Sequence, residues 1–314
     1  MDSILIVGVE TVVGGNVAAY LSAGSRARKV TGLCRAEHVR IDGCSTYHTD
    51  VRRCEEAVRW INDSKATQIV FCGAASHSSW ESATVQIDES LIESTRVWAE
   101  AAQQSGCPIT IISSDAVFSG PQMFHDEDSS SHCGSMQANC IRQAETAASE
   151  ACPQALIVRT NAYGWSPRGE QGWIERQLAG LRKNRLADAD YIRHGTPILA
   201  TDLAGVLMRV WSEGLSGTFH IAGAERVSPL KFVQRLGDSF QLPWLSLERG
   251  GSLNECPTGF ASGECSLQTK RIRKAICLAM PMISEGLARL AEQDSTGFRN
   301  RLLGREANSS ERAA

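Results

Sequence analysis

The chain has 314 residues, of which 42% are hydrophobic and 21% charged, and its 32 basic residues nearly balance its 35 acidic ones. These fractions are typical of a globular protein and exclude a disordered, collagen-like or coiled-coil chain. The formal net charge of −3 gives no electrostatic reason to expect a nucleic acid or an anionic membrane surface as a partner.

The eleven cysteines are scattered along the chain and include no C-x-x-C pair. They indicate small buried side chains in a reducing compartment rather than a disulfide framework or a zinc site. The seven histidines form no H-x-x-x-H or H-E-x-x-H pattern, so no metal is expected. No basic stretch precedes the apolar run Ile4–Val7, and no run reaches the ~18 apolar residues of a membrane span. We therefore expect a cytoplasmic protein without a signal peptide.

Short apolar runs rich in β-branched residues alternate with helical patterns over the first half of the chain. Each run is too short for a helix and is apolar on both faces, which is typical of buried strands in a parallel sheet. Alternation of such strands with helices indicates right-handed βαβ units, and so an α/β fold with a doubly wound parallel sheet of the Rossmann type over residues 1–165. The predicted strands are Ile4–Gly8, Lys29–Leu33, Gln68–Cys72, Pro108–Ser113 and Ala155–Arg159.

The pattern becomes less regular after residue 165. Helical stripes begin near Trp173 and Thr201, and Ser228 followed by Pro229 is a typical N-cap and first residue of a helix. These segments predict a smaller C-terminal substrate-binding lobe over residues 166–292, parts of which return to the main sheet. The polar residues 293–314 are expected to form a flexible tail.

The first predicted strand ends in a glycine-bearing turn, Gly8-Val9-Glu10-Thr11-Val12-Val13-Gly14, that leads into a helix. This context is typical of a dinucleotide fingerprint, because a helix N-terminus offers free N–H groups and a positive dipole end to a pyrophosphate. Gly8 would supply the tight turn and Gly14 the close packing of helix on strand, and Val13 is a further candidate cofactor contact. Thr11 stands where a glycine would let the phosphates approach, so a turn that binds weakly or not at all is the alternative.

Two later positions are further candidates for cofactor contact. Arg35 follows the second strand, where a basic residue would meet a ribose 2′-phosphate, and it favours NADP over NAD unless it is a solvated surface arginine. Asp50 and Val51 open the third βα unit and are placed to contact adenine. A plain helix N-cap is the alternative interpretation of Asp50.

Segments farther along the chain match a known family in their order. These are Cys72-Gly73-Ala74-Ala75, Ser113–Gly120, Arg159-Thr160 with Tyr163-Gly164, and Gly217–Gly223. The chain resembles the extended short-chain dehydrogenase/reductases, and among them the dTDP-4-dehydrorhamnose reductases. The resemblance implies an NADP or NAD cofactor that also contacts Gly73, Ala74 and Ala75, and a nucleotide sugar as the other ligand.

In that family a Tyr-x-x-x-Lys pair reduces a carbonyl, the tyrosine donating a proton while NADPH delivers hydride. None of the four tyrosines here is followed by lysine four residues on, and no lysine lies between Lys65 and Lys183. The family's spacing places Gln137 and Ile141 at the positions of the pair. Ser114 matches the family's hydroxyl that bonds the substrate carbonyl, and it is the candidate catalytic residue.

Three functions remain open at this point. The first is a protein that binds NADP(H), a nucleotide sugar or both without reducing a substrate, with a possible regulatory protein partner. The second is an active reductase that takes its proton from another group, such as His132, Cys133 or Cys140, although packing of buried cysteines is the alternative for the last two. The third is an interaction module that binds no ligand. Thr11 separates the first from the third, because its side chain either leaves or fills the pyrophosphate space.

Overall fold

The computed structural model describes residues 2–23, 28–84, 86–169, 172–183, 189–244 and 260–305. Seven strands form the main sheet, and every pair of neighbours is parallel. In chain order they are β1 (Ser3–Val7), β2 (Lys29–Cys34), β3 (Cys44–His48), β4 (Gln68–Phe71), β5 (Ile109–Ser114), β6 (Leu156–Thr160) and β9 (Gly217–His220).

The strand order is β3-β2-β1-β4-β5-β6-β9, so the chain winds outward from β1 in one direction and from β4 in the other. This is the predicted doubly wound parallel sheet. The reversal of direction between β1 and β4 leaves a crevice at the carboxyl ends of these strands, where ligands bind in such folds.

Helices cover both faces of the sheet, and the alternation of side chains along β1 shows how. Ile4 and Ile6 face the layer of α1 and α6, whereas Leu5 faces the layer of α2, α3 and α4. Because all these side chains are at most 2% exposed, a strand buried on both faces is apolar throughout. The helices are α1 (Val12–Ser22), α2 (Cys54–Ser64), α3 (Ser90–Ser105), α4 (Met136–Ala151) and α6 (Ala200–Ser212).

The remaining elements build a second region beside the carboxyl edge of the sheet. A short parallel pair, β7 (Ala162–Tyr163) and β8 (Ile198–Leu199), packs with α5 (Trp173–Arg182), α7 (Pro229–Ser239) and α9 (Ile283–Ser295). The helix α8 (Lys270–Ile276) lies against β9. Within the described residues, no helix combines the length and the apolar character needed to cross a bilayer.

An aromatic cluster holds this second region against the sheet. The Trp80 and Trp173 rings lie 5.5 Å apart, and each lies 5.4 Å from the ring of Phe232. Trp80 and Trp173 are each 4% exposed and Trp165 is fully buried. These three tryptophans therefore pack in the core rather than line an open sugar pocket.

The polar C-terminal segment differs from the expected flexible tail. Residues 293–295 belong to α9, and α10 (Phe298–Leu302) follows it. Phe298 and Leu302 are 6% and 0% exposed and pack in the same core cluster as α1, and the Arg299 guanidinium lies 4.6 Å from the Trp165 ring. The prediction of a flexible tail is therefore wrong for residues 293–305, because two apolar side chains anchor them. Residues 306–314 lie outside the described residues.

Candidate functional site

A cleft of about 550 Å³ opens at the carboxyl ends of β1, β2 and β4. Residues of the second region, including Ser166, Arg168 and Arg176, close its far wall. Of the predicted cofactor contacts, six line the cleft: Gly8, Thr11, Arg35, Val51, Gly73 and Ala74. The other four, Val13, Gly14, Asp50 and Ala75, do not belong to its lining.

The turn between β1 and α1 has room for glycine alone at two positions. Gly8 has a φ of +81°, and a Cβ atom there would lie 1.9 Å from the carbonyl oxygen of Cys72. A Cβ atom on Gly14 would lie 2.3 Å from the carbonyl oxygen of Gly8. Both contacts are with backbone, which cannot move aside, so these two glycines bring α1 close to the sheet edge.

The Thr11 side chain points to the helix and serves as its N-cap. Its hydroxyl donates to the carbonyl oxygen of Gly8 at 2.8 Å and accepts from the Gly14 N–H at 3.0 Å. Among the described residues, the N–H groups of Val12 and Val13 have no protein acceptor. Of these two residues Val12 lines the cleft, so its N–H at the N-terminus of α1 is available to an anion there.

Glu10 is a site residue that the sequence analysis missed. Its Oε1 accepts hydrogen bonds from the backbone N–H groups of Arg35 and Ala36, at 2.9 and 3.2 Å. The side chain is 9% exposed and lines the cleft. An acidic residue inside a glycine-bearing turn was the available signal, but its partners follow β2 and are separated from it by more than twenty residues.

The two residues predicted to contact adenine, Asp50 and Val51, lie in different surroundings. Val51 is partly buried and lines the cleft, whereas Asp50 is exposed and pairs with Arg52 at 2.6 Å. Arg53, not Asp50, is the N-cap of α2. Asp50 therefore fits neither interpretation, because the neighbouring arginine draws its carboxylate away from the cleft.

At the carboxyl end of β5, in the other half of the sheet, the polar side chains are buried. Ser114, the last residue of β5, is 1% exposed, and its Oγ accepts the N–H of Ala116 at 3.1 Å. The next residue, Asp115, is fully buried, and its Oδ1 lies 3.5 Å from Ser114 Oγ. Burial raises the pKa of Asp115 to about 7, against hydrogen bonds from Ser79, Asn161 and Ser114 that lower it. The sequence analysis assigned no role to this carboxyl group.

Polar side chains that follow β4 and β6 surround Asp115. Ser78 donates to Oδ1 of Asn161 at 2.6 Å, and Nδ2 of Asn161 donates to Ser79 at 3.0 Å. A methyl group on Gly195 would lie 2.8 Å from Nδ2 of Asn161 and 3.2 Å from Oδ2 of Asp115. The side chains of Asp115 and Asn161 and the backbone of Gly195 are thus closely packed.

The positions of the missing catalytic pair do not face a common pocket. Gln137 lies on the exposed side of α4, whereas Ile141 is 1% exposed in the core cluster that includes Phe118 and Ala144. Neither residue lines the cleft over the nucleotide turn. The two positions therefore differ in their surroundings, one exposed to solvent and the other in the core.

Other proton donors near Ser114 are also poorly suited. Cys133 and Cys140 are 4% and 5% exposed and pack in the interior. Partial burial, followed by the charges of Arg142 and Arg159, lowers the pKa of His132, so its imidazole is neutral at neutral pH. Arg159 itself is held by Glu145 at 2.7 Å, so its charge is already paired.

Comparison with known proteins gives one family match over most of the chain. Residues 1–295 match the model of the RmlD substrate binding domain. No curated protein matches the chain.

Several solved structures share the fold. The dTDP-4-dehydrorhamnose reductase of Bacillus anthracis, solved with NADP, has a TM-score of 0.74 at 17% identity, covering 93% of this chain and 100% of that one. The dTDP-glucose 4,6-dehydratase of the same organism, solved with NAD, has a TM-score of 0.74 at 13% identity and 95% and 98% coverage. MoeE5 in complex with UDP-glucuronic acid and NAD has a TM-score of 0.69 at 17% identity and 93% and 99% coverage.

Proposed function

Because the chain belongs to the RmlD substrate binding domain family, we propose that it binds a nicotinamide adenine dinucleotide on this fold without reducing a carbonyl. The observation that carries the proposal is the contrast along the sheet edge. The cleft over the nucleotide turn is open and has a free donor in Val12, whereas Ser114 and Asp115, 1% and 0% exposed, are buried and do not line it.

The residues at the cleft fit such a ligand part by part. The N–H group of Val12, which lines the cleft at the start of α1, would hold the pyrophosphate, since a helix N-terminus favours an anion. Val51 and Trp98, which line the cleft, would pack against the adenine, with Gly73 and Ala74 beside the ribose and phosphates. When bound, the nicotinamide supplies hydride transfer, which in the resembling reductases requires an acid at the position that Gln137 occupies here.

We further propose that residues 1–165 form the nucleotide-binding domain and residues 166–292 mainly a lobe for a second ligand. Two observations support a nucleotide sugar as that ligand: MoeE5 is solved with UDP-glucuronic acid, and two arginines of the second region, Arg168 and Arg176, line the cleft. A regulatory protein partner would suit a member that binds without turnover. No disulfide joins the ten cysteines of the described residues, which supports a reducing compartment such as the cytoplasm.

One observation favours an active reductase as a second candidate. A carboxyl group with a pKa of about 7 can donate a proton at neutral pH, and Oδ1 of Asp115 lies 3.5 Å from Ser114 Oγ. This function would require the cover of Ser78, Ser79 and Asn161 to open. The ligand-free module has less support, because the hydroxyl of Thr11 caps α1 and the N–H of Val12, which lines the cleft, has no protein acceptor among the described residues.

The experiment is a titration with NADH and NADPH, followed by quenching of tryptophan fluorescence, since Trp98 lines the cleft. Val12→Pro removes one free N–H at the first position of α1, where proline is tolerated, and should weaken binding by about 10-fold or more. Met136→Pro makes the same change at the first position of α4, away from the cleft, and should leave binding unchanged.

Turnover is measured separately, as NADH or NADPH oxidation with a dTDP-4-keto sugar. Binding without turnover supports the proposal. Turnover at the rate of an intact reductase would replace it with the second candidate, and Asp115→Asn would then abolish the rate. Absence of binding by the wild-type protein would favour the ligand-free module.

A further inference from the structure

We propose that Glu10 makes the cleft selective for NAD(H), whose adenosine ribose carries a 2′-hydroxyl, over NADP(H), whose ribose carries a 2′-phosphate. The inference rests on the nucleotide binding proposed above and adds the feature that distinguishes the two cofactors. It starts from the residues that follow β2, because in doubly wound folds these residues face the adenosine ribose.

The backbone donors at that position already hold an anion. The N–H groups of Arg35 and Ala36 both donate to Oε1 of Glu10, at 2.9 and 3.2 Å. Charge-assisted bonds of this kind are what a 2′-phosphate would need from the same backbone. A phosphate arriving there would have to displace the carboxylate or lie against a like charge, and both weaken its binding.

The second oxygen of the same carboxylate also favours NAD(H) over NADP(H). Oε2 of Glu10 is buried and has no hydrogen-bond partner among the described residues. A carboxylate accepts hydrogen bonds and donates none, so a ribose 2′-hydroxyl would satisfy this oxygen once a small turn of the side chain brought it to the cleft surface. A 2′-phosphate presents only acceptor oxygens when ionised, and it leaves the carboxylate oxygen unsatisfied.

Arg35 on its own would favour NADP(H), since its guanidinium would attract a 2′-phosphate. Its side chain is exposed at the rim of the cleft, and its charge helps to lower the pKa of Asp88, after hydrogen bonds from Ser90. Glu10, in contrast, is 9% exposed and fixed by two backbone donors. The fixed charge sets the selectivity, because a flexible surface arginine loses side-chain freedom on pairing and is screened by solvent.

The test is a pair of titrations, by calorimetry, of the full chain with NADH and with NADPH. Wild type is expected to bind NADH at least about 10-fold more tightly than NADPH, as like-charge contact implies. Glu10→Gln keeps the acceptor for both N–H groups and removes the charge, and it should reduce the preference to within about 3-fold. Glu55→Gln removes an exposed charge on α2, away from the cleft lining, and should leave the preference intact.

The possible results separate this inference from the proposed function. Tighter binding of NADPH than of NADH by wild type, lost in Arg35→Ala, overturns the inference and leaves nucleotide binding standing. An equal preference in wild type and Glu10→Gln also overturns it. Binding of neither nucleotide, with folding shown by circular dichroism, overturns both. Competition between 2′,5′-ADP and 5′-ADP repeats the comparison without the nicotinamide half, and the inference requires 5′-ADP to compete better.

Discussion

Two parts of the carboxyl edge of the sheet differ in how they are built. At the ends of β1, β2 and β4 the turn keeps an open cleft, and at the ends of β5 and β6 buried side chains close the corresponding space. The first stretch is built from backbone: Gly8 and Gly14 have no room for a Cβ atom. The second is built from side chains, which can be exchanged while the strands stay in register. A shared fold therefore preserves backbone-built sites more readily than side-chain-built ones.

The largest loss of stability is expected when Ile141 is replaced by lysine, the residue found there in the resembling reductases. Ile141 is 1% exposed, so Ile141→Lys buries an unpaired charge and should cost more than about 4 kcal/mol of unfolding free energy. Chemical denaturation measures the loss. Gln137→Lys introduces the same charge on the exposed side of α4 and should cost less than about 0.5 kcal/mol. Equal stability of the two variants would show that residue 141 reaches solvent.

Adding a Cβ atom at Gly8 tests how far the turn between β1 and α1 depends on the close approach of its backbone. Gly8→Ala combines a positive φ with a contact 1.9 Å from the Cys72 carbonyl oxygen, and should cost about 3–5 kcal/mol and abolish nucleotide binding. Gly106→Ala is the control, because Gly106 has a φ of +61° but nothing within 4 Å of a Cβ atom. Its cost should be about 1 kcal/mol. A similar loss in both variants would mean that φ alone, and not the close approach, restricts residue 8.

The buried carboxyl group of Asp115 predicts a pH dependence. Its pKa is raised by burial from 3.8 to about 7, so the folded protein holds a proton that the unfolded chain releases. Stability from this group is therefore present below about pH 4 and is lost as pH rises to about 7, by about 4 kcal/mol in total. Asp115→Asn removes the titration.

Urea denaturation between pH 4.5 and 8 measures this dependence. The stability of wild type relative to Asp115→Asn should fall by about 1.4 kcal/mol per pH unit until about pH 7, then stay level. Asp63→Asn, an exposed carboxylate, should track wild type across the range. A constant difference between wild type and Asp115→Asn would show that the carboxyl is ionised throughout, and would remove the support for the second candidate function.

The smallest effect is expected at Thr11, the N-cap of α1. Thr11→Ala removes the N-cap of α1 and should cost about 1 kcal/mol, as should Ser135→Ala at the N-cap of α4. The two should differ in nucleotide binding. Only Thr11 lines the cleft, and Thr11→Ala removes the hydroxyl and methyl group that crowd the phosphates, so it should strengthen NADH binding by a few fold. Weaker binding would mean that the ligand uses the hydroxyl itself.

The sequence predicted the strands that are buried on both faces, because a continuous apolar run has few other uses. It missed β3 (Cys44–His48), whose residues are mostly exposed and polar at the sheet edge. The family resemblance located Ser114 and the missing pair. Glu10 and Asp115 escaped notice, since their roles depend on partners brought close only by the fold: the N–H groups after β2, and Ser79 with Asn161. Asp50 was misassigned because a local ion pair with Arg52 competes with any ligand.

The short helix α10 has a practical consequence for work with this protein. Sequence-based trimming would remove everything after residue 292 as a polar extension. That cut would strip Phe298 and Leu302 from a hydrophobic surface shared with α1, the helix that carries the nucleotide turn. The uncovered patch would promote self-association. Shortened versions for crystallisation or spectroscopy should therefore retain the chain through at least residue 305.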